Sequence, residues 1–280
     1  MEGFKNFEVK KDLRQTPEYG EYIKKIGWDT LDIDGTLVFV RKLGPWGIAK
    51  IQRVNLPLPF ENIRRELKSR KVIMCKLEPM PGQPTEEIQV IKRIGFRQDK
   101  WPLLGSRSLM LDIRSTLEDI EKTFKKDARY CLKKSQESAI EIRRNEWDLF
   151  YEIWKKAAKK KDLWILSKNH LMALKESFGN KAFCLTAGKM AGVVVLVTEG
   201  VAYYYFSAAI PEAKQFQLPY RMVWEGIKEA KKFGAEFWDF EGIWDKRWPT
   251  KGWMGFTHFK KSFGGVEAEY PGSFVRWGFW

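Results

Sequence analysis

The chain has 280 residues, 44% of them hydrophobic, so it can bury a large core as one large or two modest domains, and no low-complexity tract argues for disorder. Fifty Lys and Arg against 36 Asp and Glu leave a net charge of +14, a field that favours tRNA, nucleotide phosphates or an anionic membrane surface, although a basic protein kept soluble by its charge reads the same way. Cys75, Cys131 and Cys184 are far apart and odd in number, which argues against a disulfide framework, and with only His170 and His258 present a His/Cys metal site is poorly supported.

The first twelve residues, MEGFKNFEVKKD, lack the apolar core of a signal peptide, and no run approaches the ~18 apolar residues of a membrane span. The expectation is a cytoplasmic protein. Thr16 caps a helix with Pro17 at its first position, ending near Gly27. Residues 28–33 and 36–43 then form a hairpin through Asp34-Gly35, and a third strand, 48–55, leads to a helix over 60–69. A buried strand at 72–77 and a helix at 86–94, closed by Gly95, complete this half.

A strand at 108–113 restarts the scheme, and Ser115 with Glu118 makes a capping box for the next helix. A basic helix spans 125–135, followed by a strand at 140–143. Trp147, Phe150, Tyr151, Trp154, Ala157 and Ala158 recur at helical spacing, which reads as core packing. A helix over 168–178 and strands at 182–187, 192–198 and 201–208 follow. Pro219 opens a long helix with Val223, Ile227 and Ala230 on one face. Phe237–Phe240 is a short buried strand, and a loop rich in glycine and tryptophan then leads to Phe256–Phe263, where Lys260 and Lys261 sit among aromatic residues. Two rounds of helix, strands and helix indicate a duplicated α+β unit.

Hydrolase chemistry has little support: there is no G-x-S-x-G elbow and no histidine with an evident partner. Neither a Walker loop nor a G-x-G-x-x-G follows a strand, which argues against ATP hydrolysis and dinucleotide redox chemistry. Acyl-CoA transfer needs bare backbone N–H groups at a glycine-rich strand-to-helix turn, and the connection Ile210–Pro219 has no glycine.

The pattern WDFEGI, a glycine-tryptophan loop and FKKSFGG (residues 237–265) resembles the C-terminal signature of the FemABX family, aminoacyl-tRNA-dependent transferases of peptidoglycan bridge formation. QTPEYGEYIKKIGW (15–28), KKDARYCLKK (125–134) and 203–224 are similar as well, so the resemblance covers nearly the whole chain. It implies two tandem GNAT-like acyltransferase domains, each a mostly antiparallel or mixed sheet flanked by helices. Residues 1–107 with 268–280 would bind the acceptor, 108–267 would be catalytic and face tRNA, and a strand near 266–270 or just beyond would return to the first domain.

The implied reaction moves an amino acid from aminoacyl-tRNA to the side-chain amine of a peptidoglycan precursor, UDP-linked or lipid-linked, without metal or cofactor. The rivals are a GNAT-fold acyltransferase using acyl-CoA and a non-catalytic basic module binding RNA. Attack of an amine on an activated ester needs a cation at the oxyanion and a proton acceptor. The resemblance assigns Lys260 to the oxyanion or leaving oxygen, with Lys261 a weaker candidate; the alternative is a solvated lysine. Asp239 orients the amine or holds a structural cation. Glu241 stands where the family often has glycine.

Glu78 contacts the acceptor's peptide amine or is a strand-end turn acid, and Tyr203 and Tyr205 line the substrate channel or pack in the core. Asp29, Thr30 and Leu166 occupy positions where some family members place phosphate-binding cations, leaving Lys168 close by for that role. Lys126, Arg129 and Lys133, with Lys125 and Lys134, offer a tRNA-facing helix or a merely solvated one. Lys155, Lys156, Lys159, Lys160 and Lys161 form a second such patch. Trp277, Phe279 and Trp280 make an apolar end that packs, or touches the inner face of a membrane.

Overall fold

The computed structural model describes residues 11–160, 162–248 and 251–280, which divide into two compact units. Residues 11–107, Trp244–Lys251 and Ala268–Trp280 form the first, and Ser108–Ile243 with Gly252–Glu267 the second. Residues 244–248, although flanked on both sides by sequence of the second unit, group with the first.

In the first unit the hydroxyl of Thr16 accepts from Tyr19 N and starts helix α1 (Pro17–Lys25). Strands β1 (Asp29–Ile33) and β2 (Thr36–Leu43) turn through Asp34 and Gly35, both at positive φ, the pair of left-handed residues that a tight hairpin of matching twist requires. Strand β3 (Trp46–Val54) begins two residues earlier than expected, directly after a second hairpin turn at Gly44-Pro45. Helix α2 (Phe60–Ser69), strand β4 (Val72–Pro79), helix α3 (Thr85–Arg93) and strand β5 (Arg97–Gln98) follow. Ile63 and Leu67 of α2 and Ile91 of α3 share a core with Val38, Val40, Ile51 and Leu77.

The second unit contains β6 (Arg107–Asp112), α4 (Leu117–Thr123), α5 (Lys126–Gln136), β7 (Ile142–Arg144), α6 (Trp147–Lys159) and α7 (Lys168–Phe178). Then come β8 (Ala182–Ala187), β9 (Ala191–Thr198), β10 (Val201–Ala209), α8 (Leu218–Lys232), β11 (Phe237–Gly242), α9 (Met254–Lys261) and β12 (Val266–Glu269). The cap of α4 is Thr116, one residue beyond the expected Ser115, and its side chain accepts from Asp119 N. The seven strands run in the order β12-β6-β11-β10-β9-β8-β7.

Every residue of β9 is buried because helices cover both faces of the sheet, which is why it reads as an unbroken apolar run. Val193, Val195 and Val197 share a core with Val223, Ile227 and Ala230 of α8. Gly192, on the opposite face, lies against Phe150 of α6 so closely that an added Cβ would stand 2.8 Å from the ring.

Of the two expected places for the returning strand, 266–270 or just beyond, it takes the second. Strand β12 stays in the second unit's sheet beside β6, and it is β13 (Phe274–Trp277) that joins the first unit, antiparallel between β4 and β5 in the order β1-β2-β3-β4-β13-β5. The turn between the two is carried by Pro271 and Gly272, with Gly272 at φ +101.

Candidate functional site

Strands β10 and β11 are neighbours in the second unit, parallel over Val201–Tyr203 against Phe237–Asp239, after which both leave register. Against β9 the pairing of β10 shifts between Tyr204 and Phe206, so that Tyr205 occupies a bulge. Against β6 the pairing of β11 breaks between Asp239 and Gly242, where Glu241 takes φ +59. A glycine would adopt that angle without strain, which accounts physically for the glycine that the resemblance associates with this position and leaves Glu241 strained.

The break leaves backbone groups without ladder partners, and two charged side chains satisfy them. Lys260 Nζ donates to Phe240 O at 2.6 Å and Gly242 O at 2.7 Å. Asp239 Oδ1 accepts from Glu241 N at 2.6 Å and is in contact with the Ser108 hydroxyl, which also lies 2.7 Å from Glu241 O. The carboxylate therefore takes the N–H and the ammonium takes the carbonyls of one distorted turn.

Lys260 is only 9% exposed, and burial pushes its amine down to about 8, with the charges of Glu241 and Asp239 opposing that fall. Its two carbonyl hydrogen bonds also favour the protonated form, so at neutral pH it is an ammonium. The ammonium sits 4.9 Å from the centroid of the Phe256 ring, a cation-π contact.

Aromatic packing fixes this lysine's helix. Phe263 is fully buried, with ring centroids 5.5 Å from Phe240, 5.1 Å from Phe124 and 5.6 Å from Tyr220. Phe259 packs on Tyr220 at 5.0 Å, so the aromatic residues flanking Lys260, Phe259 within α9 and Phe263 just after it, are held by the sheet and by α8. Gly264 and Gly265 follow at φ +81 and +87, and a Cβ on Gly265 would lie 2.5 Å from Met110 O. The motif FKKSFGG thus reads as a capping lysine, a core anchor and a turn that only glycine can make.

Beside this element lies a cavity of about 500 Å³ whose lining includes Tyr204, Ser207, Lys214, Gln217, Tyr220 and Phe256. Phe256 both lines the cavity and receives the Lys260 ammonium. Burial pushes the Tyr204 phenol up to about 12, so it is a neutral hydrogen-bonding group there. Lys214 has no anionic partner among the described residues, whereas Lys160, also at the cavity, pairs with Glu212 at 3.0 Å. Ser108, Lys214 and Tyr220 were not singled out from sequence. The glycine-free Ile210–Pro219 connection frames this cavity.

Within the second unit the structure brings Lys260 and Asp239 to one broken strand, and the β10–β11 register sets Tyr203 beside Asp239. Tyr203 is buried, while Tyr205 is half-buried with its ring 4.7 Å from Phe206. In a regular strand residues 203 and 205 would share one face; the bulge at Tyr205 ends that alternation. Lys261 is neutralised by an ion pair with Glu267, and Lys168 pairs with Asp148 at 2.8 Å.

Glu78, in the first unit, is buried with both oxygens engaged: one accepts from Leu103 N at 2.7 Å and Leu104 N at 3.1 Å, the other from Gln52 Nε2 at 3.2 Å. That is the geometry of an acid pinning a loop. On α5, Lys126, Arg129, Lys133 and Lys134 are all exposed and have no acidic partner among the described residues, while Ala128 and Leu132 face the core. Lys161 of the second basic patch lies outside the described residues.

The sequence profile of the FemAB family matches residues 107–188 and 185–276, together more than half the chain, including all of the unit that carries Lys260. No curated protein matches the chain in sequence. Among solved structures, FemX superposes with a TM-score of 0.78 at 14% identity, over 94% of this chain and 92% of its own. L-PGS from Bacillus licheniformis gives 0.60 at 11% identity, over 92% and 85%. A tandem GNAT protein from the clavulanic acid biosynthesis pathway gives 0.54 at 8% identity, over 86% and 78%. These likenesses establish the fold as two tandem GNAT-like domains, each a mixed sheet flanked by helices.

Proposed function

The chain belongs to the FemAB family, and from that premise we propose that it is an aminoacyltransferase moving an amino acid from aminoacyl-tRNA to the side-chain amine of a peptidoglycan stem peptide. The observation that carries the reading is the buried Lys260 ammonium, held at a broken strand beside a cavity large enough for an aminoacyl ester. Family membership supports a transferase, and the fold shared with FemX is compatible with it.

In the proposed reaction the amine nitrogen attacks the ester carbonyl carbon, negative charge develops on the carbonyl oxygen, and the C–O bond to the ribose breaks as the amide forms. The proton lost by the amine ends on the ribose oxygen. No covalent enzyme intermediate is required, since the ester is already activated. Lys260 has a third N–H beyond those given to Phe240 O and Gly242 O, and a cation fixed in a water-poor site stabilises developing charge far better than one in solvent. Asp239 and Ser108 position it by holding the turn it caps.

The unpaired charges of Lys126, Arg129, Lys133 and Lys134 are assigned to the tRNA phosphates, and Tyr205 to the acceptor peptide. Tyr203 and Glu78 are assigned supporting roles, because burial and saturated hydrogen bonding leave them little to offer a substrate. Lys168 and Lys261, each in an ion pair, contribute to substrate binding only if those pairs exchange. The test is incubation of the full chain with charged total tRNA and each acceptor form, lipid-linked and UDP-linked, read by mass spectrometry. A gain of one aminoacyl residue, abolished by ribonuclease, is expected. No gain with either acceptor, or a gain that survives ribonuclease, overturns the reading.

A further inference from the structure

In the first unit, register brings the end of β2, the start of β3, the start of β4 and the end of β13 to one end of the sheet. Leu43 pairs with Trp46, Gly47 with Val72, and Trp277 with Met74. The side chains there are large, apolar and uncovered: Leu43 is 52% exposed, Trp46 40%, Trp277 70% and Phe279 69%. Trp46 and Phe279 meet edge to face at 5.4 Å, which fixes both rings at the surface. Trp280, the third aromatic of this end, does not join them: it is buried against Phe96 and beneath Arg276.

The chain segments that meet at this end carry charge of one sign. Residues 41–47, 68–73 and 275–280 contain Arg41, Lys42, Lys68, Arg70, Lys71 and Arg276 and no acidic side chain. Arg70 pairs with Glu66 at 3.6 Å, whereas Lys42, Lys68 and Lys71 are exposed with no acidic partner among the described residues.

We propose that this end of the sheet docks on an anionic lipid bilayer. Exposed aromatic rings at a hairpin tip and a strand end, flanked by lysines, match the headgroup level of such a surface, where rings enter the interface and ammonium groups meet phosphates. Leu43, at the tip, partitions into acyl chains but offers no face for stacking on a nucleobase, which favours lipid over RNA. The inference does not rest on the transferase reading, since binding is measured without tRNA or acceptor.

The test is co-sedimentation of the full chain with vesicles of equimolar phosphatidylglycerol and phosphatidylcholine, against phosphatidylcholine alone. Binding is expected to the mixed vesicles and to weaken with salt. Trp277→Gln with Phe279→Gln is expected to lower partition about tenfold or more, and Lys42→Gln with Lys71→Gln about thirtyfold, at roughly fivefold per charge. Melting temperatures close to the parent's establish that the variants are folded. No binding by the parent, or undiminished binding by both folded double variants, overturns the proposal. So does a dimer of the parent, seen by sedimentation, that Trp277→Gln with Phe279→Gln dissolves, because the patch would then belong to a second copy.

Discussion

Replacing Lys260 by Met separates the two things this residue does. The methionine retains the stem that packs along Phe256 but removes the donors to Phe240 O and Gly242 O. Two buried carbonyls without donors cost about 1–3 kcal/mol each. Against this, the variant no longer buries an ammonium whose acidity has risen to about 8, a relief of about 3 kcal/mol. The net change in stability is therefore small, about 1 kcal/mol destabilising and at most about 3, which for a chain of this size moves Tm by roughly 2–4 °C per kcal/mol. Loss of a preorganised cation at a developing oxyanion costs about 10²–10³ in kcat. Chemistry should thus dominate: transfer assayed at 25 °C, well below the melting range, is expected to fall by at least a hundredfold. A fall of less than tenfold in a variant whose Tm stays within a few degrees would mean that Lys260 only props the broken strand, and the proposed mechanism would be wrong.

The same amine gives a pH signature in which activity and stability move in opposite directions. Its folded pKa is about 8 and a free lysine's about 10.4, so between these values the unfolded chain holds the extra proton and unfolding free energy rises with pH by up to about 3 kcal/mol, a rise absent from Lys260→Met in urea titrations. Over the same range kcat should decline as the cation is lost. Glu241→Gly relieves a left-handed residue at about 1–2 kcal/mol and gives back roughly half of that to chain entropy, so urea midpoints should rise slightly. It also removes a charge that supports the ammonium, and the alkaline limb of kcat should move to lower pH. Lys126→Gln with Lys133→Gln should weaken tRNA binding and lower the salt slope of log K by about 2, leaving melting unchanged because both side chains are exposed; an unaltered slope would remove α5 from the RNA contact.

Much of the fold was legible because its signals are local. Asp34-Gly35 names its turn, Thr16-Pro17 its helix start, and the VVVLV run of β9 its place in a sheet covered on both faces. The candidate site was legible only in part. Phe237–Phe240 reads as a strand from its own residues, and Gly264-Gly265 as a turn, but nothing in a glutamate announces the left-handed backbone of Glu241. The bulge at Tyr205 likewise leaves no mark in an aromatic stretch, so the alternation of Tyr203 and Tyr205 looked regular. Lys168 and Lys261 read as available charges because their partners, Asp148 and Glu267, lie on other elements. Which of Trp277, Phe279 and Trp280 is buried depends on the register of β13 against β4, which no local pattern specifies.

That late strand has a consequence for biogenesis. While residues 274–277 remain within the ribosome, the first unit's sheet has a vacancy between β4 and β5, and the backbone N–H and C=O groups along that edge of β4 have no strand to pair with. All of the second unit's residues precede β13 in the chain. Assembly of the first unit's sheet therefore waits on a strand translated after the whole of the second unit, and a chain interrupted a few residues before Phe274 would leave an unpaired, aggregation-prone seam between β4 and β5.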